Sequence, residues 1–121
     1  MEINGIIFML KDDNRLRGKK NFKRIFEKGK ALKGNFLILR FALNDEEKIR
    51  FAILVSKKVS KKAVVRNKVK RKIKAIVLQN IPKLKKGFDF IFIVLPSFEN
   101  KNFSEMEDEI NKIFKNAHLY A

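Results

Sequence analysis

Residues 60–79 read Ser-Lys-Lys-Ala-Val-Val-Arg-Asn-Lys-Val-Lys-Arg-Lys-Ile-Lys-Ala-Ile-Val-Leu-Gln, and this stretch decides the architecture. Its apolar residues recur at helical spacing, with Val65, Val69, Ile73, Ile76 and Val77 on one stripe. Arg66, Lys70 and Lys74 make a second stripe, with Asn67 and Arg71 beside it. The spacing predicts a helix over 60–79, about 28 Å long, with Pro82 ending it. One side of such a helix needs an apolar surface to lie on, while the other is cationic along its whole length.

The flanking segments supply that surface. Upstream, Lys48–Val55 alternates Ile49, Phe51, Ile53 and Val55 with Arg50, Ala52 and Leu54, which predicts a strand. Downstream, Phe88–Leu95 is apolar enough for a strand buried on both faces and is closed by Pro96. Asn35–Leu43, apolar apart from Arg40, predicts a further strand, and the polar turn Asn44-Asp45-Glu46-Glu47 predicts an antiparallel hairpin between it and 48–55. Ala31–Lys33 adds a short edge strand.

Lys19–Lys28 predicts a short helix with Phe22, Ile25 and Phe26 on one face and Gly29 as a left-handed stop. Asn102 and Glu105 have capping-box spacing. They open a last helix, Phe103–Ala117, with Phe103, Met106, Ile110, Ile113 and Phe114 inward. Residues 1–18 show no clear periodicity and read as a loose or partly extended stretch, of which 1–14 are expected to form an N-terminal arm, with Met9 an alternative start to Met1. Residues 15–121 form a single domain. The fold class is α+β, one small sheet with helices packed on it, in the order helix, three strands, helix, strand, helix.

Charge narrows the function. The 121 residues carry a formal net charge of +16, well beyond the magnitude of about 2–8 that solubility asks of a small domain. The charge is also segregated. Between Glu47 and Asp89 there is no acid, and that window holds fifteen Lys or Arg residues. Lys57, Lys58, Lys61, Lys62, Arg66, Lys68, Lys70, Arg71, Lys72 and Lys74 are its densest part. A one-sign field of this kind steers a polyanion to one side of the fold, and nucleic acid is the expected partner. No apolar run approaches the ~20 residues that span a bilayer, and Ile6–Leu10 is too short for a secretory signal core. Without Cys the chain has no disulfide or thiolate site, and the expected compartment is the cytoplasm.

Self-contained catalysis is not expected. His118 is the one histidine and lies near the C-terminus, where it reads as a bystander. No His, Asp and Glu set has metal-ligand spacing. Glu105, Glu107, Asp108 and Glu109 belong to the first turns of a helix, where acids meet the positive end of its dipole. No small-molecule substrate is indicated, and no catalytic residue is assigned.

Two elements look like binding devices instead. Lysine and arginine across 57–74 neutralise phosphates and release counterions, and Arg66 and Arg71 add bidentate phosphate contacts. Asn67 among them suits a base edge or a hydrated metal ion, or is simply a solvated helix residue. Phe22 and Phe26 on a basic helix are suited to stack unpaired bases, although their periodicity by itself favours core packing. Arg40 in an apolar strand points to an open face.

At these residues the chain resembles a known family. Ser56-Lys57-Lys58-Val59 followed by Ala63-Val64-Val65-Arg66-Asn67-Lys68-Val69-Lys70-Arg71 is similar to the signature of the bacterial ribonuclease P protein component. Leu16-Arg17, Phe22, Phe26 and Gly29 at their spacing, the Asp89-Phe90 strand start and the amphipathic last helix resemble it too. Lys68 and Lys74 stand where the family commonly has Arg, and Arg40 where some members have an aromatic residue.

The resemblance implies a left-handed βαβ crossover (ribosomal protein S5 domain 2-like). It also implies an accessory role in an endoribonuclease that removes the 5′ leader of precursor tRNA, with Mg²⁺ bound mainly by the catalytic RNA. By position, Lys57, Lys58, Lys61, Lys62, Arg66, Asn67, Lys68, Lys70, Arg71 and Lys74 would dock on that RNA. Phe22, Phe26, Ile38, Arg40 and Leu54, with Arg66 and Lys70 on the rim, would form a cleft for the leader. Asn67 would lie near the substrate or a metal ion, and the loop Lys83–Lys86 would give electrostatic support. The alternative is an rRNA-binding ribosomal-type protein with no part in catalysis.

Overall fold

The computed structural model describes residues 14–121; the expected arm, apart from Asn14, lies outside them. The elements run α1 (Lys19–Lys28), β1 (Lys30–Lys33), β2 (Leu37–Leu43), β3 (Arg50–Leu54), α2 (Ala63–Asn80), β4 (Phe88–Val94) and α3 (Phe103–Asn116). Short 3₁₀ turns at Ile81–Lys83 and Phe98–Asn100 flank β4.

The four strands form one sheet in the order β1-β2-β4-β3. β1 and β2 make a tight antiparallel hairpin, closed by the Gly34 N–H on the Leu37 carbonyl at 2.7 Å. The hairpin expected between β2 and β3 does not form. Instead β4 inserts between them, antiparallel to β2 (Phe41 opposite Phe90) and parallel to β3 (Phe51 opposite Phe90).

Composition explains the insertion. A central strand needs apolar side chains on both faces, and β4 is the strand that offers them: Phe90, Ile91 and Phe92 are all fully buried. β3 carries Arg50 and a 39 % exposed Leu54, which suit an edge. The link from β2 to β3 has only to step over one strand, about 10 Å. It is pinned in passing, since the Asn44 N–H donates to the Gly87 carbonyl at 2.8 Å.

One face of the sheet carries the main core. Leu37, Leu39, Phe41, Phe51, Phe90, Phe92 and Val94 meet Val69, Ile73, Ile76 and Val77 of α2 and Met106, Ile110, Ile113 and Phe114 of α3. The apolar stripe of α2 is therefore its underside, with Val65 half-buried at its start. Burial of this kind is worth roughly 1.5–3 kcal/mol per large side chain. Phe103, expected inward, is 39 % exposed. Helical side chains lean back over the preceding turn, and the first residue of a helix has none. The capping box itself is formed, with the Glu105 N–H donating to Asn102 Oδ1 at 2.8 Å and the Asn102 N–H to Glu105 Oε1 at 3.0 Å.

α1 lies on the opposite face, where Ile25, Ile91 and Leu16 make a smaller core. Gly29 follows α1 with φ −78°, which is not the left-handed region. Glycine is required there for closeness: a Cβ would stand 2.4 Å from the Ile25 carbonyl oxygen and 2.8 Å from that of Phe41.

Candidate nucleic-acid interface

The outer face of α2 and the turn before it carry the cationic ridge. Lys57, Lys58, Lys61, Lys62, Lys68, Lys70 and Arg71 are exposed, as is Asn67, while Lys74 is half-buried. Among the described residues none of those six lysines, nor Arg71, pairs with a carboxylate. Arg66 differs. Its Nη1 donates to the Ser60 and Lys61 carbonyls, both at 3.0 Å, so it staples the turn that leads into the helix. Ser60 Oγ accepts the Lys62 N–H at 3.2 Å in the same turn, which is why the helix starts at Ala63 instead of Ser60.

A groove of about 780 Å³ runs beside this ridge. Asn67, Lys70 and Arg71 face Leu16, Phe22 and Ala52 across it. The far wall comes from a segment that sequence reading missed. Residues 14–17 lie along β3, the Phe51 N–H donating to the Asn14 carbonyl at 2.7 Å and the Leu16 N–H to the Phe51 carbonyl at 3.0 Å. Arg15 and Arg17 thereby join the groove lining. The sequence signals there were cations alternating with Leu16, too short a run to carry a strand, and the Leu16-Arg17 pair of the family resemblance.

Beyond α1 the sheet face stays open. By register Ile38, Ile93 and Leu54 form one row across β2, β4 and β3, and Arg40, Ile91 and Ala52 form the next. α1 packs on Ile91, Ala42 and Ala52 and leaves Ile38 and Leu54 accessible. Of the residues expected to share a cleft, Phe22 and Lys70 line the groove together. Phe26 and Arg40 meet each other, the guanidinium carbon 4.9 Å from the ring centre. Ile38 and Leu54 flank Ile93. Arg66 is not among the groove-lining residues. Phe22 is half-buried against the smaller core, whereas Phe26 is 41 % exposed.

A buried carboxylate sets the position of α1. Asp89, fully buried at the start of β4, receives Arg50 through two bonds of 2.8 Å, Nε to Oδ1 and Nη2 to Oδ2. Asn44 Nδ2 donates to Oδ1 at 2.9 Å, and Arg24 of α1 bonds Oδ2. The hydrogen bond to Asp89 raises the Arg50 pKa above its ordinary value, against partial burial, which acts to lower it. The Arg24 Nη1 also donates to the Leu43 carbonyl at 2.6 Å.

No three His, Asp or Glu side chains come together as a metal-binding group among the described residues. No helix of the described residues is long and apolar enough to cross a membrane.

A family model described as Ribonuclease P matches residues 10–118. The chain is 36 % identical over 110 residues to the ribonuclease P protein component of Pseudanabaena sp., covering 90 % of this chain and 95 % of that protein. It is 39 % identical over 111 residues to the one from Clostridium acetobutylicum, covering 88 % and 91 %. The solved ribonuclease P protein of Thermotoga maritima superposes with a TM-score of 0.77 at 29 % identity, over 84 % of this chain and 96 % of that one. The Staphylococcus aureus protein, at 24 % identity, shares the fold with a TM-score of 0.82, over 89 % of this chain and 98 % of that one.

Proposed function

Since the chain belongs to the ribonuclease P protein family, and so is the protein component of a tRNA-processing ribonucleoprotein, we infer that it works by holding two RNAs at once. The ridge on α2 docks on the catalytic RNA, and the groove with the open sheet face holds the 5′ leader of precursor tRNA. The observation that carries this is the pairing across one groove of an acid-free cationic helix, through Lys70 and Arg71, with the half-buried ring of Phe22. Cations neutralise phosphates along a strand while aromatic and apolar surface receives its unpaired bases.

The chemistry is assigned to the catalytic RNA and the Mg²⁺ ions it binds, which activate water and stabilise the leaving oxygen. This chain's own part is counter-charge and positioning. Its cations let two polyanions pack together at lower Mg²⁺ than the RNA needs alone. Its cleft favours precursor over mature tRNA, because only the precursor has a leader to hold. The compartment for this work is the cytoplasm. The test is reconstitution with ribonuclease P RNA and precursor tRNA at low Mg²⁺. Leader removal that depends on added protein is expected; cleavage indifferent to the protein would refute the reading.

A further inference from the structure

Asn80 is the polar member of the buried stripe of α2, four residues past Ile76. Its Nδ2 donates to the Ile76 carbonyl at 2.9 Å and to Asn111 Oδ1 of α3 at 3.1 Å, and its Oδ1 accepts the Tyr120 hydroxyl at 2.8 Å. These bonds orient more than Asn80. A carbonyl can only accept, so the Nδ2 end of Asn80 must face Ile76. Its second hydrogen then requires an acceptor, so Asn111 presents its oxygen. The Nδ2 of Asn111 is left turned away from the network, and no described residue accepts from it.

That donor opens on a cavity. Gln79, Asn80, Lys83, Glu107, Asn111 and Tyr120 line a space of about 350 Å³ between α2 and α3, on the flank of α2 away from the groove. Its size is that of a ligand cavity, roughly 300–1,000 Å³, and all of its lining side chains are polar. Glu107 stands one turn before Asn111, half-buried, and pairs with no cation or other donor of the described residues. An unpaired acid is unexpected in a chain of net charge +16. An acceptor and an oriented donor one turn apart on a helix match the edge of an unpaired nucleobase. Guanine fits best. A carboxylate takes its N1–H and N2–H together, while Asn111 Nδ2 donates to O6; the other bases offer a carboxylate one donor position. Charge brings RNA to this place. Lys68, Lys72 and Gln79 share one flank of α2 by helical spacing, and Lys83 continues it past the helix end. An RNA backbone lying on the ridge is thereby led to the mouth of the cavity.

We propose that this cavity receives one unpaired guanine of the catalytic RNA, read by Glu107 at N1–H and N2–H and by Asn111 at O6. This rests on the ridge docking on that RNA. It adds a base-specific contact to a surface that otherwise meets phosphates, on the side of α2 away from the leader.

The test measures binding of wild type, Glu107→Gln and Asn111→Asp to ribonuclease P RNA. Each variant is expected to bind roughly tenfold more weakly, as for the loss of one base read through paired bonds. Glu107→Gln removes a negative charge that repels RNA, so a merely solvated acid would give equal or tighter binding. Asn111→Asp keeps the acceptor that Asn80 needs and turns the outward donor into an acceptor. Glu107 has no partner in the fold, so Glu107→Gln carries the test should urea unfolding show that Asn111→Asp does not fold. Replacing guanosines of the RNA by inosine, which lacks the N2 amino group, should weaken wild type at one unpaired position and leave Glu107→Gln unaffected there. Equal or tighter binding by Glu107→Gln, or the absence of an inosine-sensitive position, overturns the guanine site. Arg71→Ala separates the two ideas. If it weakens binding and flattens the salt dependence while Glu107→Gln binds as wild type, the ridge stands and the guanine site falls. If Arg71→Ala changes neither affinity nor salt dependence, the ridge reading falls and takes the guanine site with it.

Discussion

Arg24 of α1 and Asp89 at the start of β4 form an ion pair in which the carboxylate is fully buried and the guanidinium is 30 % exposed. The contact ties the helix carrying Phe22 and Phe26 to the central strand of the sheet. Because Arg50 and Asn44 bond the same carboxylate, one side chain joins α1, β3, β4 and the link between β2 and β3.

Removing that carboxylate leaves two guanidinium groups facing a buried space without their acceptor. Asp89→Ala is therefore expected to destabilise the fold by about 3 kcal/mol, read as a lower midpoint in urea unfolding. Arg24→Gln should cost clearly less, because Arg50 still neutralises Asp89. Equal losses would mean that α1 relies on the pair more than the sheet does.

Phe22 and Phe26 should part company when truncated. Phe26→Ala removes a ring that is 41 % exposed and should leave the thermal midpoint nearly unchanged. Phe22→Ala removes a ring packed on the smaller core and should cost about 1 kcal/mol. Both should weaken precursor tRNA binding by the holoenzyme and spare mature tRNA, as measured by fluorescence titration.

The two arginines of the ridge should also behave differently. Arg71 is exposed and lines the groove, so Arg71→Ala should flatten the salt dependence of binding to ribonuclease P RNA by about 0.9 at unchanged stability. Arg66→Ala should weaken the same binding and also lower the thermal midpoint, because the Ser60 and Lys61 carbonyls lose their donor.

Tyr120 gives a signature at alkaline pH. Its hydroxyl donates to Asn80 Oδ1 at 2.8 Å, and burial raises its pKa above 10.0. A raised folded value means that the protonated phenol contributes stability fully below the unfolded pKa of about 10. That contribution is lost as pH climbs through the folded value. Tyr120→Phe should flatten this part of the alkaline stability profile in urea titrations at pH 9–12.

Local pattern determined much of this protein by itself. The period of Val65, Val69, Ile73 and Ile76 placed α2 and the face it buries, because a helix has no other way to hide such a stripe. The acid-free window from Glu47 to Asp89 placed the cationic ridge on the side left over. Strand neighbours were beyond it. A short polar turn between two strands reads as a hairpin, yet β4 enters between β2 and β3 because it is the strand greasy enough on both faces to be central. The groove, the stapling role of Arg66, the stacking of Arg40 on Phe26 and the seat of α1 on Asp89 were likewise decided only in three dimensions. Each joins residues distant in the chain or uses a bond to a backbone carbonyl. Periodicity records which face a residue takes, and it carries no information about what waits on the other side.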